Sequence, residues 1–228
     1  MKALAALALT AVSLSSVTGL SFTVLTFGAA RSAVAAEADK AGDSKSEAKP
    51  AASQPPPQVE VFTSMGNFVI ELNPERAPLT VAHFLKYVDQ GFYSGTIFHR
   101  SVAGFIIQGG GYDGDYKIKG SPTKIVNESG NGLTNQRGSV GLARPGEPHD
   151  GDVQFYVNLA DNPALDPQPT RWGYAVFGKV VQGMDVVDHI GNVATGARGP
   201  FKENAPIKNI VIEKIERVPA SQRVSDGA

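Results

Sequence analysis

Cysteine is absent from the 228 residues, and tryptophan occurs once. Without cysteine no disulfide braces the fold, so a domain must hold together on its core alone. A lipid-modified cysteine anchor is excluded for the same reason. Charge of one sign is lacking too: 21 basic residues face 22 acidic ones. From Val59 onward the balance is 16 to 18, with no run rich in Lys or Arg. Nucleic acid is therefore excluded as an expected partner. The four histidines, His83, His99, His149 and His189, are scattered, with no HExxH and no paired Cys/His spacing, so no metal and no cofactor is expected. No serine sits in a Gly-x-Ser-x-Gly elbow, which leaves a hydrolase without its nucleophile. The glycine-rich "GGGYDGDYKIKG" lacks the Lys-Ser/Thr of a phosphate loop and the closing Glu of an EF-hand. It reads as a glycine-rich turn.

The one long hydrophobic run is at the start. Met1-Lys2 leads into an apolar stretch, Ala3 to Ala30, broken only by Ser, Thr and Gly, and "SAVAA" follows before Glu37. A basic start, an apolar stretch and a small-residue end describe a secretory signal over 1–36. The stretch is also long enough to span a bilayer, so an uncleaved N-terminal anchor is the alternative and the only route to a membrane. Residues 37–57 carry no apolar side chain larger than Ala and end in Pro-Pro-Pro, the composition of a flexible linker with a stiff end. One domain is expected over 58–218, followed by a flexible tail, 219–228. A periplasm is the first choice of compartment. A thylakoid lumen or an extracellular site would use a similar signal.

Within the domain, Val59–Thr63 and Asn67–Leu72 alternate around a Met-Gly break, a hairpin pattern. Val81, Phe84, Leu85 and Val88 then follow the helical period, with Pro78 before them and Gly91 after. Short apolar runs at 97–102, 105–109, 139–143, 153–159 and 174–181 read as strands. A second short helix is expected over 183–190, and "IKNIVIEKIERV" closes the domain as a strand. Many short strands with two helices predict a mainly β fold, an antiparallel sheet closed into a barrel.

The stretch "IFHRSVAGFIIQGG" sets Arg100 and Gln108 among apolar residues. Arginine is rarely buried without a partner. Either a carboxylate pairs with Arg100 and ties the barrel together, or the guanidinium serves a pocket edged by Phe105 and Ile106. On adjacent antiparallel strands Arg100 and Gln108 share a face.

"FHRSVAGFIIQGG" closely resembles the cyclophilin family of peptidyl-prolyl cis/trans isomerases. "NGLTNQRGSVGLAR", "QFYVNLADNPALD" and "YAVFGKVVQGMDVVDHI" match further family blocks in order, over about 59–218, and the bacterial periplasmic branch is the nearest in pattern. The resemblance implies a closed eight-stranded antiparallel β-barrel capped by two α-helices, acting on proline-containing polypeptides without a cofactor. It makes Arg100 the catalytic donor and Gln108 its orienting partner. Phe105, Ile106, Phe155, Leu165 and Tyr174 would form the proline pocket. Ala143, Arg144 and Gln154 would contact substrate backbone. Two departures stand out. Ala164 replaces a tryptophan that contacts cyclosporin in eukaryotic members, so weak binding of that drug is implied. Val153 replaces a usual serine beside the pocket. A cyclophilin-like binding module and a barrel with a wide ligand cavity are the competing readings, and the second is disfavoured by the bulky side chains available to fill the interior.

Overall fold

The computed structural model describes residues 55–224. The expectations for 1–36 and for 37–54 lie outside the described residues. Ten strands and two α-helices follow one another along the described chain. They are β1 (Gln58–Thr63), β2 (Gly66–Leu72), α1 (Pro78–Asp89), β3 (Thr96–Val102), β4 (Ile106–Asp113) and β5 (Ser139–Leu142), then β6 (Phe155–Asn158), β7 (Val176–Gln182), α2 (Met184–Gly191), β8 (Thr195–Arg198), β9 (Phe201–Pro206) and β10 (Val211–Arg217).

Eight of these strands close into a barrel in the order β1-β10-β3-β4-β6-β5-β7-β2. Every pairing in it is antiparallel. The closing pair is the expected hairpin, with Val61 opposite Phe68 and Gly66 at the turn with φ +117°. Closure removes the unpaired edges that an open sheet would carry. Inside, Phe68, Phe98, Phe155 and Phe177 are at most 1% exposed and pack with Ile70, Ile107 and Ile212. The interior is a filled core, which disposes of the wide-cavity reading.

Both helices bury an apolar side in this core. In α1 the set Val81, Phe84, Leu85 and Val88 is buried as its spacing predicted, and Phe84 lies edge-on to Phe155 at 5.7 Å. Ala77 offers no side-chain cap. Its place is taken from a distance: the Glu128 carboxylate accepts from the Leu79 and Thr80 amides at 3.1 and 2.8 Å and from the Thr80 hydroxyl at 2.7 Å. An anion at the amino end satisfies the free amides and the helix dipole together. Val187 and Ile190 bury the face of α2.

Two features were not legible beforehand. Strands β8 and β9 form a separate two-stranded ribbon. Its sequence, "TGARGPFKENAP", has no sustained alternation of apolar and polar residues. It is held by packing instead: Phe201 stacks on His99 with ring centroids 5.2 Å apart and meets Tyr112 edge-on at 5.2 Å. The segment expected to trail free after Val218 is hydrogen-bonded as far as Val224. Gln58 is only 2% exposed, and its side chain donates to the Val224 carbonyl at 2.6 Å and accepts from the Val224 amide at 2.9 Å. A buried amide side chain needs partners, and the chain end supplies them. Arg223 adds a bond to the Pro55 carbonyl at 2.6 Å.

Candidate active site

The site begins with an irregularity in β3. Phe98 pairs with Gly109 and Arg100 with Gln108, so two steps along β3 match one along β4. His99 is the additional residue of this β-bulge. Without a bulge, Phe98 and Arg100 would share a face, since side chains alternate strictly. With it, Phe98 enters the core and Arg100 turns outward, beside Gln108. His99 in turn is 1% exposed, lodged between Tyr112 and Phe201. Burial depresses its pKa to about 4.

The bulge also fixes what Arg100 meets. Its guanidinium meets the Gln108 side-chain oxygen at 3.5 Å. Among the described residues it forms no ion pair, so no carboxylate among them ties it to the barrel. Gln108 passes the contact on, donating to the Gln154 side-chain oxygen at 3.2 Å. Gln154 lies across Gly111, where a Cβ would collide with it. The glycine run after Gln108 is therefore a packing requirement, not a phosphate cradle.

Arg100 and Gln108 edge a cavity of about 340 Å³, whose wall is built by Phe105, Ile106, Ala143, Arg144, Tyr156, Leu165 and Tyr174. Ile106, Ala143 and Tyr156 are buried there as an apolar cluster separate from the barrel core, with Phe105, Leu165 and Tyr174 packed against it. Eight of the ten residues named from sequence line this cavity, and Gln154 adjoins it through Gln108.

The tenth, Phe155, does not. It points into the barrel, fully buried, edge-on to Phe84, Tyr93 and Phe98. Its neighbour Tyr156 forms the pocket wall, paired across the ladder with Gln108. The correction follows from strand parity: Gln154 and Tyr156 share a face, and Phe155 takes the other. That alternation was present in the sequence and would have selected Tyr156. Gly141 makes the room, because a Cβ there would strike the Tyr156 ring.

A buried polar network holds the pocket from behind. The Tyr156 hydroxyl donates to the Asn135 side-chain oxygen at 2.6 Å, and burial raises the Tyr156 pKa well above its usual value, which keeps that proton in place. Asn135 donates from its amide and side chain to Asp166 at 2.7 and 2.8 Å. Asn158 donates to Asn135 at 3.2 Å and accepts from Asn162 at 2.7 Å. Asn162 also donates to the Phe105 carbonyl at 2.9 Å. Three walls of the pocket, Phe105, Tyr156 and the Leu165–Asp166 turn, are thus fastened to one cluster of asparagines.

Tyr174 stands edge-on to Tyr156 with centroids 6.0 Å apart, and the Arg144 guanidinium lies 4.6 Å above the Tyr174 ring. Ala164 presents its carbonyl to Arg171 at 2.6 Å, on the 163–165 turn. Val153 is 1% exposed and faces the core, so it does not touch the pocket directly. Among the described residues no group of three or more His, Cys, Asp or Glu converges on a cation site, and no helix is long and apolar enough to cross a membrane.

Comparison with known proteins covers the same stretch. Residues 58–217 match the family model described as cyclophilin type peptidyl-prolyl cis-trans isomerase/CLD. Peptidyl-prolyl cis-trans isomerase A of Dickeya dadantii is 47% identical over 155 residues, covering 68% of this chain and 81% of that one. Peptidyl-prolyl cis-trans isomerase B of Escherichia coli is 44% identical over 160 residues, 69% of this chain and 97% of that one. Among solved structures, a cyclophilin type isomerase of Cryptosporidium parvum superposes with a TM-score of 0.59 at 25% identity, covering 72% of this chain and 98% of that one. The same Cryptosporidium protein has also been crystallised in the presence of the dipeptide Ala-Pro, with a TM-score of 0.58.

Proposed function

This chain belongs to the cyclophilin-type peptidyl-prolyl cis/trans isomerases, and from that premise we propose that Arg100 drives Xaa-Pro rotation in exported polypeptides. The reaction needs no nucleophile. Amide resonance sets a barrier of ~18–20 kcal/mol, which leaves the free bond turning over in tens to hundreds of seconds. A catalyst has only to favour the twisted amide, in which resonance is broken and a lone pair collects on the prolyl nitrogen. A donor fixed at that nitrogen binds the twisted state more tightly than either planar one, and only such differential binding speeds the step.

The observation that carries this reading is an outward guanidinium, with no carboxylate partner among the described residues, at the edge of an apolar pocket. A guanidinium offers five donors in a rigid fork, enough to contact Gln108 and substrate together. Gln108, itself steadied by Gln154, would set the aim of Arg100. Phe105, Ile106, Tyr156, Leu165 and Tyr174 would hold the proline ring, a task for an apolar, pre-formed surface. Main chain at Ala143 and Arg144 would take the carbonyl before the proline. The Ala-Pro dipeptide used with the Cryptosporidium relative fits this ligand class. Cyclosporin should bind weakly, because Ala164 offers only a methyl group where a large ring would be needed.

Export rests on the basic start, the apolar stretch and the small-residue end of 1–36. It would place the activity among secreted proteins during their folding. The experiment is the cis-to-trans rate of a short Ala-Pro peptide, with wild type and Arg100→Ala. Strong acceleration by the wild type and a loss of about 10²–10³ in the variant are expected, the usual effect of removing one transition-state donor. No acceleration by the wild type overturns the catalytic reading, and an unchanged rate in Arg100→Ala overturns the mechanism. Mass analysis of the mature N-terminus tests the signal: a chain still beginning at Met1 refutes cleavage after Ala35 or Ala36.

A further inference from the structure

We infer that Arg144 is a specificity-determining residue that favours substrates with a carboxylate in the one or two residues before the proline. The inference rests on the reading of the pocket given above and goes beyond its main-chain role for this position. Arg144 follows the end of β5, on the side of the pocket that would receive the chain before the proline. Its guanidinium is half-buried and held in place: one terminal nitrogen donates to the Gly146 carbonyl at 2.6 Å, the other to the Trp172 carbonyl at 3.3 Å, and the plane lies on Tyr174. These partners are all neutral. The charge is positioned but not neutralised.

No carboxylate among the described residues pairs with it. Asp166 is occupied by both donors of Asn135. Asp150 accepts from the Glu147 amide, and neither Asp150 nor Glu147 comes within 4.0 Å of the Arg144 nitrogens. Arg171, on the neighbouring loop, spends itself on the Ala164 and Asp166 carbonyls. Arg100 and Arg144 thus put two guanidiniums on the pocket, and neither forms an ion pair among the described residues. Two of the five N–H groups of Arg144 are used, its Nε is buried without a partner, and one N–H on each terminal nitrogen remains. Two free donors on one guanidinium can serve the two oxygens of a carboxylate. Because stacking and two carbonyls already fix the side chain, little conformational freedom is lost when a substrate acid arrives.

The test compares kcat/KM for peptides differing only in Glu, Ala or Lys before the proline. At low salt the wild type should prefer Glu to Lys by about five-fold, the upper range for one exposed ion pair. Raising the ionic strength to about 0.5 M should bring the ratio toward one, since screening acts over a few ångströms there. Each enzyme's Glu/Lys ratio is its own control, so a general loss of activity in a variant cancels. In Arg144→Gln the ratio should fall to about one, and in Arg144→Glu it should invert. A wild-type ratio near one at low salt overturns the inference, as does a ratio kept in Arg144→Gln. If neither variant folds, the salt series with wild type still decides: a preference insensitive to salt overturns it. Failure of the pocket reading looks different, because the Ala-Pro peptide itself would then not be accelerated.

Discussion

Adjacent residues Phe155 and Tyr156 should fail in opposite ways when each is replaced by leucine. Phe155 makes three edge-on aromatic contacts, with Phe84 and Tyr93 at 5.7 Å and Phe98 at 6.0 Å. At ~0.5–1.5 kcal/mol per aromatic pair, Phe155→Leu should cost about 1.5–4.5 kcal/mol of stability. For a domain of this size each kcal/mol is worth about 2–4 °C, so the Tm should fall by roughly 3–18 °C. The folded fraction should keep its kcat/KM, because the side chain never meets the pocket. Tyr156→Leu loses one buried hydrogen bond and one aromatic pair, about 1–3 kcal/mol together. Its main deficit should be catalytic, a five- to ten-fold loss of roughly the size of one aromatic contact to the proline ring. Thermal unfolding by circular dichroism gives the first quantity and a peptide isomerisation assay well below Tm gives the second. The reverse pattern, with activity lost in Phe155→Leu and the larger Tm drop in Tyr156→Leu, would refute the assignment of faces.

Stability should fall as pH drops from about 6.5 to 4. His99 is held neutral in the fold with a pKa near 4 against 6.5 unfolded, so between those values the unfolded chain binds the extra proton. The 2.5-unit gap amounts to about 3 kcal/mol. His83 is shifted in the same direction, also by burial. His99→Phe, which keeps the stack on Phe201, should flatten this dependence, and an unchanged slope in chemical denaturation across that range would show the assignment wrong. Gly141→Ala should push the Tyr156 ring into the pocket and raise KM at least several-fold, checked against an unaltered Val140→Ile control that faces the core. Trp172 is the only tryptophan, 47% exposed, and its carbonyl is bound by Arg144. Its emission should lie near that of the unfolded chain and should respond to Ala-Pro peptides. A signal that is blind to peptide would place the bound chain away from Arg144.

Most of the barrel was legible because its strands alternate and α1 keeps its period with Pro78 and Gly91 as punctuation. The β8–β9 ribbon was not, since long-range stacking on His99 holds it where local pattern is silent. The site was legible as a set of residue types. What single-sequence reading could not supply was the direction of each side chain. Arg100 points outward only because His99 bulges, and nothing local announces that bulge. Phe155 and Tyr156 are the opposite case: strict alternation from Gln154 would have chosen correctly, and an aromatic in the matching block drew the assignment one position early. The Asn135–Asn158–Asn162 cluster was also out of reach, for Asn135 is 21 and 31 residues from Tyr156 and Asp166, and Asn162 is 57 from Phe105.

The bonds from Gln58 and Arg223 to the two ends of the described chain have a consequence for how the domain can be mounted. Those ends meet on β1, and in the closed order β1 stands four strands from β6 in either direction. The proline pocket is built on the outer side of β3, β4, β5 and β6, so it opens on the wall opposite the ends. A cable fixed at Pro55 or Val224 leaves the pocket free to face a client. The same proximity would let a short splice join the ends and a new break open at the 199–200 turn of the ribbon. Such a circular permutant should still turn prolines, since the opening for substrate and the seam of the chain lie on opposite sides of one cylinder.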